Sequence, residues 1–219
     1  MGSPGETPDM VRQEEEEKRR DGGGVSIVPV AENTDFDGMA KCMDGFSSKT
    51  CCFCIKDHHT GDSLRKQFLK YPKSKMELSG VATDEKTNEV LGFIRVCDYE
   101  HRALIFPFRG IHDMKPGEMY IEQLGVGAHA RGKGVGTKLL EWAHARGREN
   151  GLTRSSLGVL RGNRAKKLYE RVGYVVKPDE DCIEGCFNAL CTLWLVGRPY
   201  GCFSQMGADT MVKTLEAGS

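Results

Sequence analysis

The spacing of apolar residues changes period several times along the chain, and each change marks an element. Val25 to Val30 reads as a first strand. Asp35, Phe36, Met39, Ala40 and Met43 fit a short helix with Thr34 as its N-cap, and Asp62 to Tyr71 carries Leu64, Phe68 and Leu69 at helical spacing before Pro72. Met76, Leu78 and Val81, then Val90, Phe93, Ile94 and Val96, flank the polar stretch Thr83 to Asn88 and predict a β-hairpin. Cys97 to Glu118 is irregular, with Pro107, Gly110, Pro116 and Gly117, a connection of the length that often carries function. Met119 to Val126 is strand-like, and His129 to Gly136 is a glycine-rich turn. Val135, Leu139, Trp142 and Ala143 then recur with helical period up to Asn150-Gly151. Ser155 to Leu160 is a strand, while Ala165, Leu168, Tyr169 and Val172 define a helix stopped by Gly173. Tyr174 to Val176 and Asp209 to Leu215 can each add a strand. The alternation of strand and helix is that of an α/β domain.

Two stretches fall outside this pattern. Residues 1–24 hold Pro4, Pro8, the acidic run Glu14 to Glu17, the basic run Lys18 to Arg20 and three consecutive glycines, and read as a disordered tail and hinge. Residues 25–219 are then one domain. The segment 181–206 reads as an insertion with Cys182, Cys186, Cys191 and Cys202 around the most apolar run in the chain, 189–196. That run is too short to span a bilayer, which takes roughly 20 residues. Two readings stand for it: a segment that completes the core, or an exposed patch (Leu193, Trp194, Leu195, Val196) meeting a membrane surface or a second subunit, with its cysteines as acylation sites.

Composition narrows the function classes. The 39% hydrophobic and 28% charged residues are ordinary for a globular chain and exclude wholesale disorder and a multi-span membrane protein. Thirty-one basic and thirty-one acidic side chains cancel, which removes the electrostatic argument for nucleic acid. Nine cysteines, with no secretory h-region in Met1 to Asp21, lead us to expect reduced thiols and a cytoplasmic protein. The N-terminus lacks the Ser or Thr of an N-myristoylation site. His58-His59 behind Cys51-Cys52-Phe53-Cys54 matches no standard zinc spacing, so no metal is expected.

The glycine-rich turn carries the chemistry. Glycines between a strand and a helix allow positive φ and close backbone approach, and the free N–H groups of the first helical turn form a site for phosphate oxygens, here with Arg131 and Lys133 beside them. Gly127 to Gly134 nearly spells a Walker A loop, but Gly134 stands where the magnesium-binding Ser or Thr belongs. The Rossmann fingerprint is not matched either. Arg131-Gly132-Lys133-Gly134-Val135-Gly136 does fit Arg/Gln-x-x-Gly-x-Gly/Ala, and Asn163-Arg-Ala165-Lys-Lys-Leu168-Tyr169-Glu-Arg-Val-Gly173-Tyr174 fits Asn-x-x-Ala-x-x-Leu-Tyr-x-x-x-Gly-Phe with Tyr in the last place.

These two motifs at this separation resemble the GCN5-related N-acetyltransferase superfamily, closely from Met119 to Val176. The resemblance implies a single domain with a mixed sheet of six to seven strands flanked by helices, and acetyl-CoA as co-substrate. It implies that backbone N–H groups of Arg131, Gly132, Lys133, Gly134, Val135, Gly136 and Thr137 hold the pyrophosphate. Leu124 and Val126 would pair with the pantetheine arm, the Leu124 N–H would polarise the thioester carbonyl, and Asn163 would contact the cofactor. Tyr169 would be the general acid for the departing thiolate. Glu122, two residues before Leu124 and hence on the same strand face, is the candidate base, with Tyr120 on that face in reserve. The expected reaction is acetyl transfer to a primary amine in a ternary complex; the alternative is a catalytically degenerate acyl-CoA-binding sensor or scaffold. Asp98, Glu100, Asp113 and Glu118 crowd the approach to the strand and suggest a cationic amine, on a small molecule or a protein.

Overall fold

The structure is a computed structural model and describes residues 24–43, 60–69, 72–101, 114–177 and 208–216. Seven strands form one sheet: β1 Val25–Pro29, β2 Gly80–Asp84, β3 Val90–Asp98, β4 Glu118–Val126, β5 Arg154–Leu160, β6 Val175–Val176 and β7 Ala208–Thr214. Their order is β1-β2-β3-β4-β5-β7-β6. All neighbours run antiparallel except β4 and β5, which are parallel. Among the described residues, five α-helices flank it: α1 Phe36–Lys41, α2 Gly61–Leu69, α3 Lys73–Glu77, α4 Val135–Glu149 and α5 Ala165–Arg171. None of the described helices is long and apolar enough to cross a membrane.

The sheet is buried on both faces, which is why its central strands read as apolar runs. On one face Val135, Leu139, Leu140 and Ala143 of α4 pack with Ile94, Val96, Met119, Ile121, Leu157 and Met211. On the other, Phe36 and Met39 of α1 and Leu64 and Phe68 of α2 pack with Val81, Val90 and Phe93. Each fully buried Leu, Ile, Phe or Met contributes about 1.5–3 kcal/mol from its apolar surface, so α4, with Leu139 and Leu140 at 0% exposure, is held by its tertiary face rather than by helix propensity.

Two local expectations are corrected. Asp35, not Thr34, caps α1: its Oδ1 accepts from the Gly38 N–H at 2.9 Å, while Thr34 Oγ1 accepts from Ala31 N–H. Met76 belongs to α3 rather than to a strand; Pro72 pre-sets the helical start, and β2 begins only at Gly80. Helices α1, α2 and α3 lie between β1 and β2, and β1 is an edge strand paired with β2 from Val25–Asp84 to Pro29–Gly80. The stretch 181–206, the His58-His59 pair with its cysteines and the tail lie outside the described residues.

Candidate active site

The site is built where two parallel strands stop pairing. Strands β4 and β5 are matched from Glu118–Arg154 to Ile121–Leu157 and no further, although both continue. Beyond Ile121, β4 is paired only with β3, so polar backbone groups of Gln123 to Val126 face a gap on the β5 side. An extended ligand can add itself there as a strand, using main-chain hydrogen bonds.

At the mouth of the gap stands helix α4. Its N-cap, Gly134, has φ +81° and no side chain, the first turn carries no acidic residue, and the first intrahelical bond runs from Lys138 N–H to Gly134 C=O at 3.0 Å. The N–H groups of Val135, Gly136 and Thr137 are therefore presented outward with the helix dipole behind them. A Cβ at Gly134 would meet nothing within 4 Å, so glycine is used here for its backbone conformation. Gly136 differs: a Cβ there would lie 3.1 Å from Leu168 Cδ2 of α5. Its smallness lets the turn-bearing helix and the tyrosine-bearing helix touch. Arg131 Nε donates to the Val126 carbonyl at 3.0 Å and ties the turn to the end of β4; both Arg131 and Lys133 are exposed.

A β-bulge interrupts β4. Arg95 pairs with Gln123 and Val96 with Ile121, which leaves Glu122 as the extra residue. The phase of the strand shifts by one. Met119 and Ile121 before it, and Leu124 and Val126 after it, belong to the α4 face, whereas a Cβ at Gly125 would touch Phe93 and Met43 on the opposite face. Glu122 and Leu124 therefore lie on opposite faces, contrary to the expectation from simple alternation. Glu122 faces Arg95: Oε2 to Nε is 2.7 Å, with side-chain exposures of 10% and 12%. Arg95 in turn donates from Nη1 to Gln67 Oε1 at 2.6 Å and lies over the Phe68 ring. Beside them, Gln123 Oε1 is buried without a hydrogen-bond partner among the described residues.

Two phenols, one buried and one half-buried, stand near the gap. Tyr169 on α5 is 9% exposed, its ring edge-on to Tyr174 with 6.0 Å between centroids, and burial pushes its phenol up to about 12. Tyr120 on β4 is also pushed up to about 12, by burial first and then by Cys97 beside it. Its hydroxyl lies close to the Gly158 backbone, since a Cβ at Gly158 would come within 3.0 Å of it. At neutral pH both are protonated and suited to donate rather than to accept a proton. This argues against Tyr120 as a base. Asn163 stands at the start of α5, where its Oδ1 accepts from Ala165 N–H at 2.9 Å. Tyr174 is held from behind by His144 Nε2 at 2.8 Å and Ser155 Oγ at 2.6 Å. The acidic approach inferred from sequence is weaker than expected: Glu118 is fully buried and accepts from Lys115 N–H, and Asp98 pairs with His101 at 2.7 Å, while Asp113 lies outside the described residues.

The glycine turn, Tyr169 and Glu122 are singled out by the sequence, whereas Arg95, Gln67, Cys97 and the His144–Tyr174–Ser155 group are not. Arg95 alternates as a lone cation among the apolar residues Val90 to Val96, and that was the available signal.

The strand gap and the uncapped helix end are suited to an extended, phosphate-bearing ligand. A sequence profile of the acetyltransferase (GNAT) family matches residues 46–174, well over half of the chain, and the chain belongs to that family. No curated protein matches it by sequence. Among solved structures it resembles a GCN5-related N-acetyltransferase from Kribbella flavida (18% identity, TM-score 0.57, 87% of this chain and 98% of that one). It also resembles PaiA N-acetyltransferase from Thermoplasma acidophilum in complex with coenzyme A (14%, 0.55, 87% and 99%) and the ribosomal-protein-S18-alanine N-acetyltransferase from Escherichia coli (14%, 0.53, 90% and 97%).

Proposed function

We propose that this protein transfers the acetyl group of acetyl-CoA to a primary amine by direct attack in a ternary complex. The observation that carries the reading is the end of the β4–β5 ladder at Ile121–Leu157 beside a helix whose N-cap is a glycine of positive φ. The pyrophosphate lies on the N–H groups of the 131–137 turn, and the pantetheine arm extends along Leu124 to Val126 as the missing strand neighbour. The Leu124 N–H stabilises the oxyanion as the amine nitrogen bonds to the carbonyl carbon. Collapse of the tetrahedral adduct breaks the C–S bond, and Tyr169 gives its proton to the thiolate. The amine proton passes through a water to Glu122, placed by the bulge on the face away from the Leu124 side chain. Asn163 contributes its NH2 to the cofactor. Coenzyme A bound to the Thermoplasma acidophilum neighbour supports the cofactor, and the alanine of a ribosomal protein in the name of the Escherichia coli neighbour supports an amine of protein origin as one candidate acceptor.

The test is release of free thiol from acetyl-CoA with a panel of polyamines, peptides with free N-termini and lysine peptides, with acetylated products identified by mass spectrometry. Turnover with any amine that falls on the order of 100-fold in Tyr169→Phe supports the reading. Binding of acetyl-CoA without turnover across the panel would return the chain to the sensor alternative.

A further inference from the structure

Although charges over the whole chain cancel, one cavity gathers cations. It has a volume of about 840 Å³ and is lined by Lys115, Arg148, Arg154, Lys177 and Lys213, with Glu216 the one carboxylate among its described lining residues. The topology brings them together from separate elements. Arg148 lies in the last turn of α4, Arg154 opens β5, Lys115 precedes β4 and Lys213 lies near the end of β7. Strand β6 pairs with β7 only at Val175–Val212 and Val176–Met211, so the ladder stops short of Lys213 and the cavity opens at that edge. Lys213 is held in place by its bond from Nζ to the Val172 carbonyl at the C-terminal end of α5, 2.7 Å.

Among the described residues, none of Lys115, Arg148, Arg154 and Lys213 forms an ion pair with a carboxylate. Their mutual repulsion is felt by the neighbouring groups. Burial and then Arg148 lower the affinity of Lys213 for its proton, and His144 on α4 is brought down to about 4 by burial, Lys213 and Arg148. Like charges held together in a concavity with a single carboxylate among its described lining residues cost stability unless a ligand neutralises them.

We infer that this cavity is a binding site for a small, multiply charged phosphate-bearing anion, separate from the cofactor cleft. Its size is that of a small-molecule pocket, and two arginines supply the planar forks that match phosphate while the lysines supply point charges. Helix α4 separates it from the pyrophosphate turn: its 15 residues put about 20 Å between the uncapped N-terminus and the turn that carries Arg148.

The experiment is calorimetric titration of the full chain, saturated with coenzyme A and at constant ionic strength, with sodium tripolyphosphate and separately with magnesium-free ATP. Arg148→Gln with Arg154→Gln should weaken binding by about tenfold or more while leaving the KM for acetyl-CoA unchanged. The difference between wild type and variant reads the cavity whether or not coenzyme A binds. Tighter binding of ATP assigns a nucleotide and tighter binding of tripolyphosphate a bare phosphorylated anion; either supports the site. If the double variant fails to fold, Lys115→Gln, on an exposed side chain, takes its place with the same expectation. Absence of binding by both probes, or equal affinity in wild type and variant, overturns the proposal. So does binding that appears only after neutralising Asp179, Glu180 and Asp181, because the chain's own acidic run would then be the occupant.

Discussion

Replacing Glu122 with Gln tests the bulge, the ion pair and the base together. The carboxylate and the Arg95 guanidinium meet at 2.7 Å with about a tenth of each side chain exposed, and Gln67 takes one further guanidinium hydrogen. Breaking a buried pair by neutralising one member costs about 3–5 kcal/mol, because the remaining charge is stranded; with Gln67 still accepting, the lower end, about 3 kcal/mol, is expected. In a domain of this size that lowers Tm by about 6–12 °C. Urea unfolding of Glu122→Gln, Arg95→Met and the double variant Arg95→Met/Glu122→Met measures it. The double variant strands no charge and should cost clearly less than the sum of the two single changes. Turnover separates the second role: Glu122→Gln should also lose on the order of 100-fold in turnover, whereas Arg95→Met retains the carboxylate and should lose far less. A loss below about 1 kcal/mol in both single variants, the range of a solvated pair, would refute the packing argument. Full turnover in Glu122→Gln would leave Glu122 as a partner of Arg95 and nothing more.

Further outcomes follow from the same geometry. Gly134→Ala should cost about 1–2 kcal/mol, since φ is +81° and no atom is displaced, with Gly134→Asn costing less; acetyl-CoA affinity by calorimetry should fall in both. Tyr169→Phe should lower kcat while leaving KM for acetyl-CoA nearly unchanged, and because both phenols titrate near 12, the wild-type rate should show no alkaline limb from either below about pH 10. Tyr174→Phe should cost about 1–3 kcal/mol by leaving His144 and Ser155 without their shared partner. His144 takes up its proton near 4 in the fold against 6.5 unfolded, so the unfolded chain binds more protons in between; stability should fall as pH drops from 6.5 towards 4, by at most about 3 kcal/mol, and His144→Gln should flatten that slope in pH-dependent urea melts.

What could be read from the sequence depended on how local its cause was. The turn from Arg131 to Gly136 and the helix from Ala165 to Gly173 are set by neighbours a few residues apart, so spacing alone placed them and the strand before them. The bulge at Glu122 is a property of the register against β3, and no count along β4 reveals it; alternation therefore put Glu122 on the wrong face. Arg95 reaches Glu122 and Gln67 only after two strands and a helix assemble. His144, Ser155 and Tyr174 lie on three elements, and only the Tyr in the place where the family pattern has Phe hinted that a hydroxyl needed partners. Thr34 lost its cap to Asp35 because the two differ by one position, finer than periodicity resolves. Met76 and Leu78 were misread because a two-step spacing of apolar residues also fits a short helix end.

The bulge makes the length of β4, and not only its residue types, a determinant of the protein. A deletion at position 122 would let the ladder with β3 run through unbroken and leave Ile121 and Leu124 two steps apart on the α4 face, but it would remove the partner of Arg95 and the bend that a bulge gives its strand. One residue inserted between Gln123 and Leu124 would instead drive Leu124 to the side where a single carbon at Gly125 already comes within 2.8 Å of the Phe93 ring. An engineer grafting the cleft onto another sheet would have to transplant the miscount along with the side chains.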